Sequence, residues 1–223
     1  MKKLFWGIVT YTLIIVTFSK CKLSLPEDNG CIERIEIPVT AHIINAADVL
    51  VVNDLFRING IDNSRFRYYQ YTHDSLQTGY SPFTKYDQKT VRVYQYTKDI
   101  PIFTGTLSYN FLNDKFNAKG GILTNGTSLN NSPKLSLGQI RRLFLDNAEQ
   151  FEDTPNKYRD SCFKAEFGYH NLNAGISYTQ ENLVKAWKVT LKNSSYPSEF
   201  PVAYFHDKDG KLIYYDNGVR RLK

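Results

Sequence analysis

Histidine, cysteine and acidic residues are the side chains of this sequence that could support catalysis or hold a metal ion, but their spacing fits neither role. No two of the four histidines stand one helical turn apart. The zinc motif H-E-x-x-H, which requires two imidazoles at that spacing and a glutamate base, is therefore missing. The sequence also contains no G-x-S-x-G motif and no phosphate-binding loop. We predict that the chain is not an enzyme and uses no cofactor or metal.

Two local patterns could still carry chemistry. Cys162 and His170 would form a thiol–imidazole pair, but the residues around Cys162 match no nucleophile signature. Residues 207–210, Asp-Lys-Asp-Gly, begin like a calcium loop. An EF-hand loop needs further oxygen ligands and a glutamate at its twelfth position, whereas lysine, leucine and isoleucine follow here. A β-hairpin turn is therefore the favoured interpretation of residues 207–210.

Composition and charge indicate a folded, sheet-rich protein that does not bind nucleic acid. The 223 residues include 16 Tyr and 14 Phe, and 42% are hydrophobic, so the chain can bury a core and favours strands. The formal net charge is +6, but three lysines lie in the N-terminal leader, and without them the charge is 25 − 22 = +3. Basic and aromatic residues alternate only over residues 65–69, which fits a half-exposed strand better than a nucleic-acid surface.

Residues 1–20 predict an export signal. Two lysines precede an apolar run that ends at Phe18, which is shorter than the roughly 20 residues of a membrane span. Cys21 stands where a lipoprotein signal would be cleaved and the cysteine acylated, although Lys20 replaces the usual small residue. We expect lipidation at Cys21, a polar tether over residues 21–32, and a location in a bacterial cell envelope. Simple secretion and an uncleaved anchor are the alternatives.

The two other cysteines, Cys31 and Cys162, fit an exported protein. In an oxidising compartment two such residues can form a disulfide. A bridge that closes a loop of about 130 residues would contribute about 4–5 kcal/mol in the chain-entropy model. Two unpaired buried thiols are the alternative, and the spacing contains no metal motif.

The first half of the chain predicts one helix against an antiparallel sheet, over residues 33–124. A short strand is expected at residues 33–38, and Asn45 is a plausible N-cap for a helix with valine and phenylalanine at helical spacing. Residues 65–73 favour a strand and residues 74–87 a loop. Residues 89–105 then favour two strands joined by a short turn, with a further hairpin extending to residue 124.

The second half predicts a similar unit over residues 136–218. Residues 125–135 have the composition of a linker. Ser136 is the expected N-cap of a helix over residues 137–150, which carries an apolar stripe. Antiparallel strands are expected at residues 163–169, 183–192, 200–206 and 212–215. The predicted fold class is α+β: two small modules, each a helix packed on an antiparallel sheet.

Both halves resemble propeptide domains. Arg92, Gln95, Pro101, Phe103 and Gly105 have the spacing found in propeptides of thermolysin-like metalloproteases, with departures at two other positions of the motif. The segments PKLSLGQIRRLFL, LVKAWKVTLK and PVAYFHDKDGKLIYYDNG resemble the PepSY domain. The four pieces occur in the family's order over residues 90–218. The resemblance implies a fungalysin/thermolysin-propeptide (FTP) module and a PepSY-like, cystatin-like module.

The resemblance implies binding rather than catalysis. Propeptides of this kind hold the catalytic domain inactive and assist its folding. Since the peptidase motif is missing, the chain is expected to act in trans on a thermolysin-like metallopeptidase, as inhibitor or folding helper, while a lipid anchor holds it at the membrane. The expected partner-binding residues lie in the hairpin and around the C-terminal tail at residues 219–223; they are Arg92, Gln95, Asp216, Arg220 and Arg221.

In a second hypothesis, the protein has no peptidase partner. The same fold could serve as a surface-anchored module that binds a protein, a glycan or the cell wall. A cluster of tyrosines, some of which must pack on the helix, favours such a surface; they are Tyr68, Tyr69, Tyr71, Tyr94 and Tyr96.

Overall fold

The computed structural model describes residues 25–79, 82–124, 130–154, 156–176, 181–194 and 199–219. The expected signal, the lipidation site Cys21 and the tail residues Arg220 and Arg221 lie outside these ranges. Within them no helix has the length and apolar character needed to cross a membrane. The elements are β1 (Ile32–Ile35), α1 (Ala46–Ile58), β2 (Phe66–Thr78), β3 (Thr84–Thr97), β4 (Ile100–Leu112), β5 (Lys115–Gly120), α2 (Leu137–Phe151), β6 (Phe163–Asn171), β7 (Leu183–Leu191), β8 (Val202–His206) and β9 (Leu212–Asp216).

All of these strands belong to one mostly antiparallel sheet. The order is β2-β3-β4-β6-β7-β8-β9, with β5 paired to β4 and β1 paired to β6. Strands β4 and β6 run parallel and meet where Ile102 lies opposite Tyr169. The mixed helix-and-sheet class is confirmed, but the expected pair of separate sheets is not, because this parallel contact joins them. The fold is dominated by one sheet that carries two helices.

Strand β1 joins the second half of the sheet instead of the first. It runs parallel to β6, with Ile32 opposite Phe163. The expectation that the strand at residues 33–38 belongs to the sheet of the first module is therefore wrong. Cys31 and Cys162, which directly precede these two strands, are joined by a disulfide. The bridge holds β1 against β6 across a sequence separation of 131 residues.

The segment before β1 is docked on α2 and is not a free tether from Leu25 onward. Leu25 packs against the apolar cluster under α2. The Asp28 backbone N–H donates to the Gly138 carbonyl at 3.0 Å, and its carboxylate forms an ion pair with buried Arg141. The expected polar tether over residues 21–32 is therefore structured over its described part, because its polar groups find partners on α2.

Helix α1 begins where the sequence predicts. The Asn45 side chain accepts a hydrogen bond from the Asp48 backbone N–H at 2.9 Å, which satisfies one of the free donors of the first turn. Val52, Leu55 and Phe56 form the buried face of the helix. They pack on a cluster from the first half of the sheet that comprises Phe66, Tyr68, Val91, Val93, Leu107, Tyr109 and Phe111.

Helix α2 also begins as predicted, at Ser136. The Ser136 hydroxyl accepts from the Gln139 backbone N–H at 3.2 Å, and the Gln139 side chain accepts from the Ser136 backbone N–H at 2.9 Å, which completes a capping box. Ile140, Phe144 and Ala148 are buried. They pack on a second cluster with Phe163, Ala165, Phe167, Trp187, Val189, Ala203 and Phe205. Each helix thus covers its own apolar cluster on the shared sheet.

Strands β2 and β3 extend into the region expected to be a loop. Residues 74–78 pair with residues 84–88 in a two-stranded ribbon. These residues are mostly polar and exposed, so they show no apolar alternation of the kind that identifies a strand from sequence.

Candidate functional site

The face of the sheet turned away from the helices carries the candidate site. Successive side chains of a strand point to opposite faces, so a residue between two helix-facing neighbours points away from the helix. Arg67 lies between Phe66 and Tyr68, which pack under α1. Glu166 lies between Ala165 and Phe167, which pack under α2. Lys188 and Tyr204 are placed in the same way in β7 and β8.

These side chains line one cavity of about 350 Å³ at the junction of the two halves. Because residues that point away from α1 and residues that point away from α2 share this cavity, both helices cover the opposite face. Strand β3 adds two tyrosines, and the β4 end of the hairpin adds a phenylalanine. The polar and aromatic lining comprises Arg67, Tyr94, Tyr96, Phe103, Glu166, Lys188, Glu199, Phe200 and Tyr204.

An irregularity in β4 shapes the cavity wall. Tyr94 pairs with Thr106, but the next residue, Gln95, pairs with Ile102, so residues 103–105 bulge out of the β3–β4 ladder. Phe103 lies against Gly168 of β6, where an added Cβ would stand 2.5 Å from the phenylalanine ring. The absence of a side chain at Gly168 therefore allows Phe103 to enter the wall.

Glu166 is the principal charged group inside the cavity. Its residue surface is only 7% exposed. Removal from water raises the pKa of the Glu166 carboxyl to about 7, and the nearby Lys188 and Arg67 only partly oppose this shift. Lys188, which lies opposite Glu166 in the β6–β7 ladder, forms its ion pair with Glu199. The carboxyl is thus poised to change its charge near neutral pH.

The other polar groups of the cavity are suited to hydrogen bonding. Burial raises the pKa of Tyr96 to about 12 and also raises the pKa of Tyr204, so both hydroxyls keep their protons at neutral pH. The Arg67 Nε donates to the Ala41 carbonyl at 2.5 Å, and the Arg67 guanidinium lies 6.0 Å from the centre of the Tyr94 ring. Among the described residues, the lining contains no serine, cysteine or histidine.

A wider groove of about 770 Å³ adjoins this cavity and shares Phe103 and Tyr204 with it. Burial lowers the pKa of His170, whose Nδ1 atom is buried without a hydrogen-bond partner among the described residues. His206 Nδ1 lies 3.0 Å from an Asp209 carboxylate oxygen at the other side of the groove. Together the two hollows form a continuous polar and aromatic surface on the helix-free face.

The two expected partner-binding residues of the hairpin have different surroundings. Gln95 is 1% exposed; its Nε2 donates to the Ile122 carbonyl at 2.7 Å and its Oε1 accepts from the Thr124 backbone N–H at 2.8 Å. Gln95 is therefore unavailable to a partner, contrary to the prediction, because its amide fastens the segment after β5. Arg92 is exposed and makes a 3.3 Å hydrogen bond to Gln70, so its role in binding stays a prediction.

We expect Gln95→Leu to lower the free energy of unfolding by about 1–3 kcal/mol, since it leaves the partly buried Ile122 carbonyl and the buried Thr124 N–H without their partner. Urea denaturation measures this change. Arg92→Leu, in the same strand but exposed, is the matched control and should change the value by less than about 0.5 kcal/mol. Equal effects of the two substitutions would contradict this assignment.

The other expected site residues have local roles. The Asp216 carboxylate accepts hydrogen bonds from the Tyr214 hydroxyl at 3.0 Å and from the Gly218 backbone N–H at 2.8 Å, and so shapes the chain after β9. Tyr68 and Tyr96 are buried, and Tyr71 packs on the cluster under α1. Tyr69 and Tyr94 stack with their ring centres 4.4 Å apart.

The turn at residues 207–210 is a hairpin between β8 and β9, as predicted. The Asp207 side chain points inward and is fully buried. Cys162 is bonded to Cys31 and so has no free thiol to act with His170. Over the described ranges, no three His, Cys, Asp or Glu side chains are grouped so that they could hold a metal ion.

The charged residues of the cavity are absent from the sequence-based site. Glu166 has one available signal, since it is a carboxylate placed directly between Ala165 and Phe167 in the strand FKAEFGYHN. Lys188 and Glu199 carry no comparable signal, because their positions at the cavity depend on strand pairing and on the loop before β8.

Comparison with known proteins adds no family assignment: no family model matches the chain, and a search of curated proteins returns no match. The observed fold is that of a mixed protein with one large sheet and two helices on one face.

We expect the stability of the protein to fall as pH rises through the range from about 4.5 to 7. The folded-state pKa of Glu166 is raised, so the folded state holds more protons than the unfolded state across this range. A shift from near 4.5 to about 7 corresponds to roughly 3 kcal/mol at most. Glu166→Gln should remove this loss and gain stability relative to the wild type at pH 8 but not at pH 4.5.

Urea denaturation of both proteins at the two pH values measures the difference. Glu149→Gln is the control, because Glu149 is exposed on α2. Parallel pH profiles for the wild type and Glu166→Gln would show that Glu166 does not titrate in this range.

Proposed function

We propose that this chain is a non-catalytic envelope lipoprotein that binds a thermolysin-like metallopeptidase as an inhibitor or folding helper, in the manner of a propeptide. The observation that carries the proposal is the position of the propeptide-like motif. Gln95, Pro101, Phe103 and Gly105 all lie at the bulge where β4 leaves β3 and meets β6. The motif therefore lies where the two halves of the sheet meet, and its spacing matches the bulge that allows β4 to reach β6.

Two further features support this proposal. Each half has its own helix and apolar cluster, which is what an FTP-like module followed by a PepSY-like module would have. We propose these modules as the origin of the two halves, with β1 contributed to the second. The helix-free face also spans both halves without a covering layer of described residues, so a protein partner could contact both at once.

The test is a titration of the full chain into a thermolysin-like peptidase that has been produced without its own propeptide. Residual peptidase activity and the refolding yield of the peptidase are both followed. We expect sub-micromolar inhibition or a higher refolding yield. Absence of both effects with several such enzymes, including any encoded beside this chain, would refute a peptidase partner.

The contribution of the tail is tested with a chain that ends at Asp216. If the residues after it block the peptidase active site, this shorter chain inhibits less while its refolding effect is kept. Inhibition that survives the deletion would remove the tail from the mechanism. Arg92→Ala tests the hairpin surface in the same assay, since Arg92 is exposed on β3.

The wider groove favours a second candidate function, a surface-anchored module that binds a glycan or the cell wall. Phe103, Tyr204 and Tyr214 bring aromatic rings to the groove, while His206 and Asp209 bring polar groups. Aromatic surfaces with adjacent hydrogen-bonding groups suit ring-shaped polar ligands. Binding to purified cell-wall polysaccharide that is lost in Tyr214→Ala would favour this function, whereas binding kept in that variant would count against the groove.

A further inference from the structure

We propose that the cavity around Glu166 is a binding site for a basic side chain, lysine or arginine, presented by a peptide segment of a partner. The site does not depend on the partner being a peptidase. It is defined by an unpaired buried carboxylate, by neighbouring charges that already have partners, and by aromatic walls.

Glu166 is the first part of this site. Its residue surface is more than nine-tenths buried and its side chain lines the cavity. Among the described residues, no donor is hydrogen-bonded to its carboxylate and no cation lies within ion-pair distance of it. The ion pairs of this region join Lys188 to Glu199 and Lys192 to Glu33. Buried carboxylates in proteins are normally paired, so an unpaired one that faces a cavity favours a ligand that supplies the missing donor.

The surrounding charged residues indicate which charge the ligand carries. Lys188 is held by Glu199, and Arg67 donates to the Ala41 carbonyl. The cations of the cavity therefore have acceptors, whereas Glu166 has no donor among the described residues. An anion entering the cavity would meet Glu166 as a like charge, and a cation would meet it as a counter-charge.

The walls suit the carbon stem and the charged end of a basic side chain. Tyr94, Tyr96, Phe103 and Tyr204 line the cavity, and aromatic faces attract ammonium and guanidinium groups, more strongly where water is removed. The stems of lysine and arginine are apolar and pack well on such surfaces. A volume of about 350 Å³ is within the usual range of ligand sites.

The test uses small probes and the full chain. Binding of N-acetyl-lysine amide and N-acetyl-arginine amide is measured by titration calorimetry, with N-acetyl-norleucine amide as the uncharged probe and N-acetyl-glutamate amide as the acidic one. A chain ending at Val219 is measured in parallel, so that Arg220 and Arg221 cannot hide the site by occupying it. We expect saturable binding of a basic probe, and neither uncharged nor acidic probe should compete with it.

Glu166→Gln should weaken binding of the basic probe at least tenfold, while Glu149→Gln, exposed on α2, should leave it unchanged. The groups that face Glu166 are Lys188, Arg67, Glu199, Tyr96 and Tyr204. Because the ionised form of Glu166 is the competent one, binding should also weaken about tenfold from pH 8 to pH 6. This pH effect should disappear in Glu166→Gln.

Three results would overturn the site: no saturable binding of either basic probe by either chain, equal binding by Glu166→Gln, or preferred binding of the acidic probe. Because no peptidase is present in this experiment, failure of the site and failure of the proposed peptidase partner can be told apart.

Discussion

Asp207→Ala is expected to lower the free energy of unfolding by about 3–5 kcal/mol, the range seen when a buried charge network loses one member. The Asp207 carboxylate is completely buried and accepts from the backbone N–H groups of Lys134 and Leu135, at 2.8 and 3.1 Å, and from the Trp187 indole N–H at 3.0 Å. One side chain thus fastens the start of the second half to the middle of its sheet. Its removal leaves three donors without an acceptor, and two of them, the Leu135 N–H and the Trp187 indole N–H, are buried.

Urea denaturation followed by tryptophan fluorescence measures this loss, because Trp187 is itself one of the donors. The matched control is Asp209→Ala in the same turn. Asp209 is exposed, and within the described part of the chain its carboxylate is hydrogen-bonded to His206 and to the Lys211 backbone N–H, so its removal should change stability by less than about 1 kcal/mol. Similar losses in the two variants would mean that the Asp207 network carries little of the stability.

The helices of this fold are predictable from the sequence because their signals are local. Asn45 and Ser136 cap helices whose apolar faces recur at helical spacing, and the helices begin directly after them. The hairpin turns are local in the same sense. Lys98 and Asp99 adopt positive φ angles, as do Asn113 and Asp114, in the two-residue turns after β3 and β4.

The joining of the two halves is not predictable in this way, because pairing between distant strands leaves no local pattern. Strand β6 pairs with both β1 and β4, and neither of them is its neighbour in sequence. The motif around Pro101 and Phe103 indicates a special backbone there, but its partner, Gly168, becomes evident only in the folded chain. The expectation of two separate sheets failed for this reason.

The candidate site shows the same division between local and distant information. A regular strand places Arg92 and Gln95 on opposite faces, and the sequence leaves open which of them is buried. The bulge beside Tyr94 and the segment at Ile122 decide this by giving the Gln95 amide two backbone partners. Glu166 becomes a site residue only because Arg67 and Tyr96 from the first half close the cavity above it.

Loss of the Cys31–Cys162 disulfide is expected to destabilise the protein by about 4–5 kcal/mol in the chain-entropy model, because the bridge closes a loop of 131 residues. The double variant Cys31→Ser, Cys162→Ser should therefore unfold at a much lower urea concentration. The first region to open should be β1, which among the described strands pairs only with β6 and lies beside the bridge. Limited proteolysis should then cut the chain near residues 25–35.

The control for this prediction is chemical. A thiol reductant should bring the wild type to the stability of the double variant and leave the double variant unchanged. If lipid is attached at Cys21, as we propose, the bridge lies ten residues from the membrane anchor. Reduction should then loosen β1, the strand nearest the anchor, from the rest of the sheet. A double variant as stable as the wild type would show instead that β1 and the Arg141–Asp28 ion pair hold this end of the chain without the disulfide.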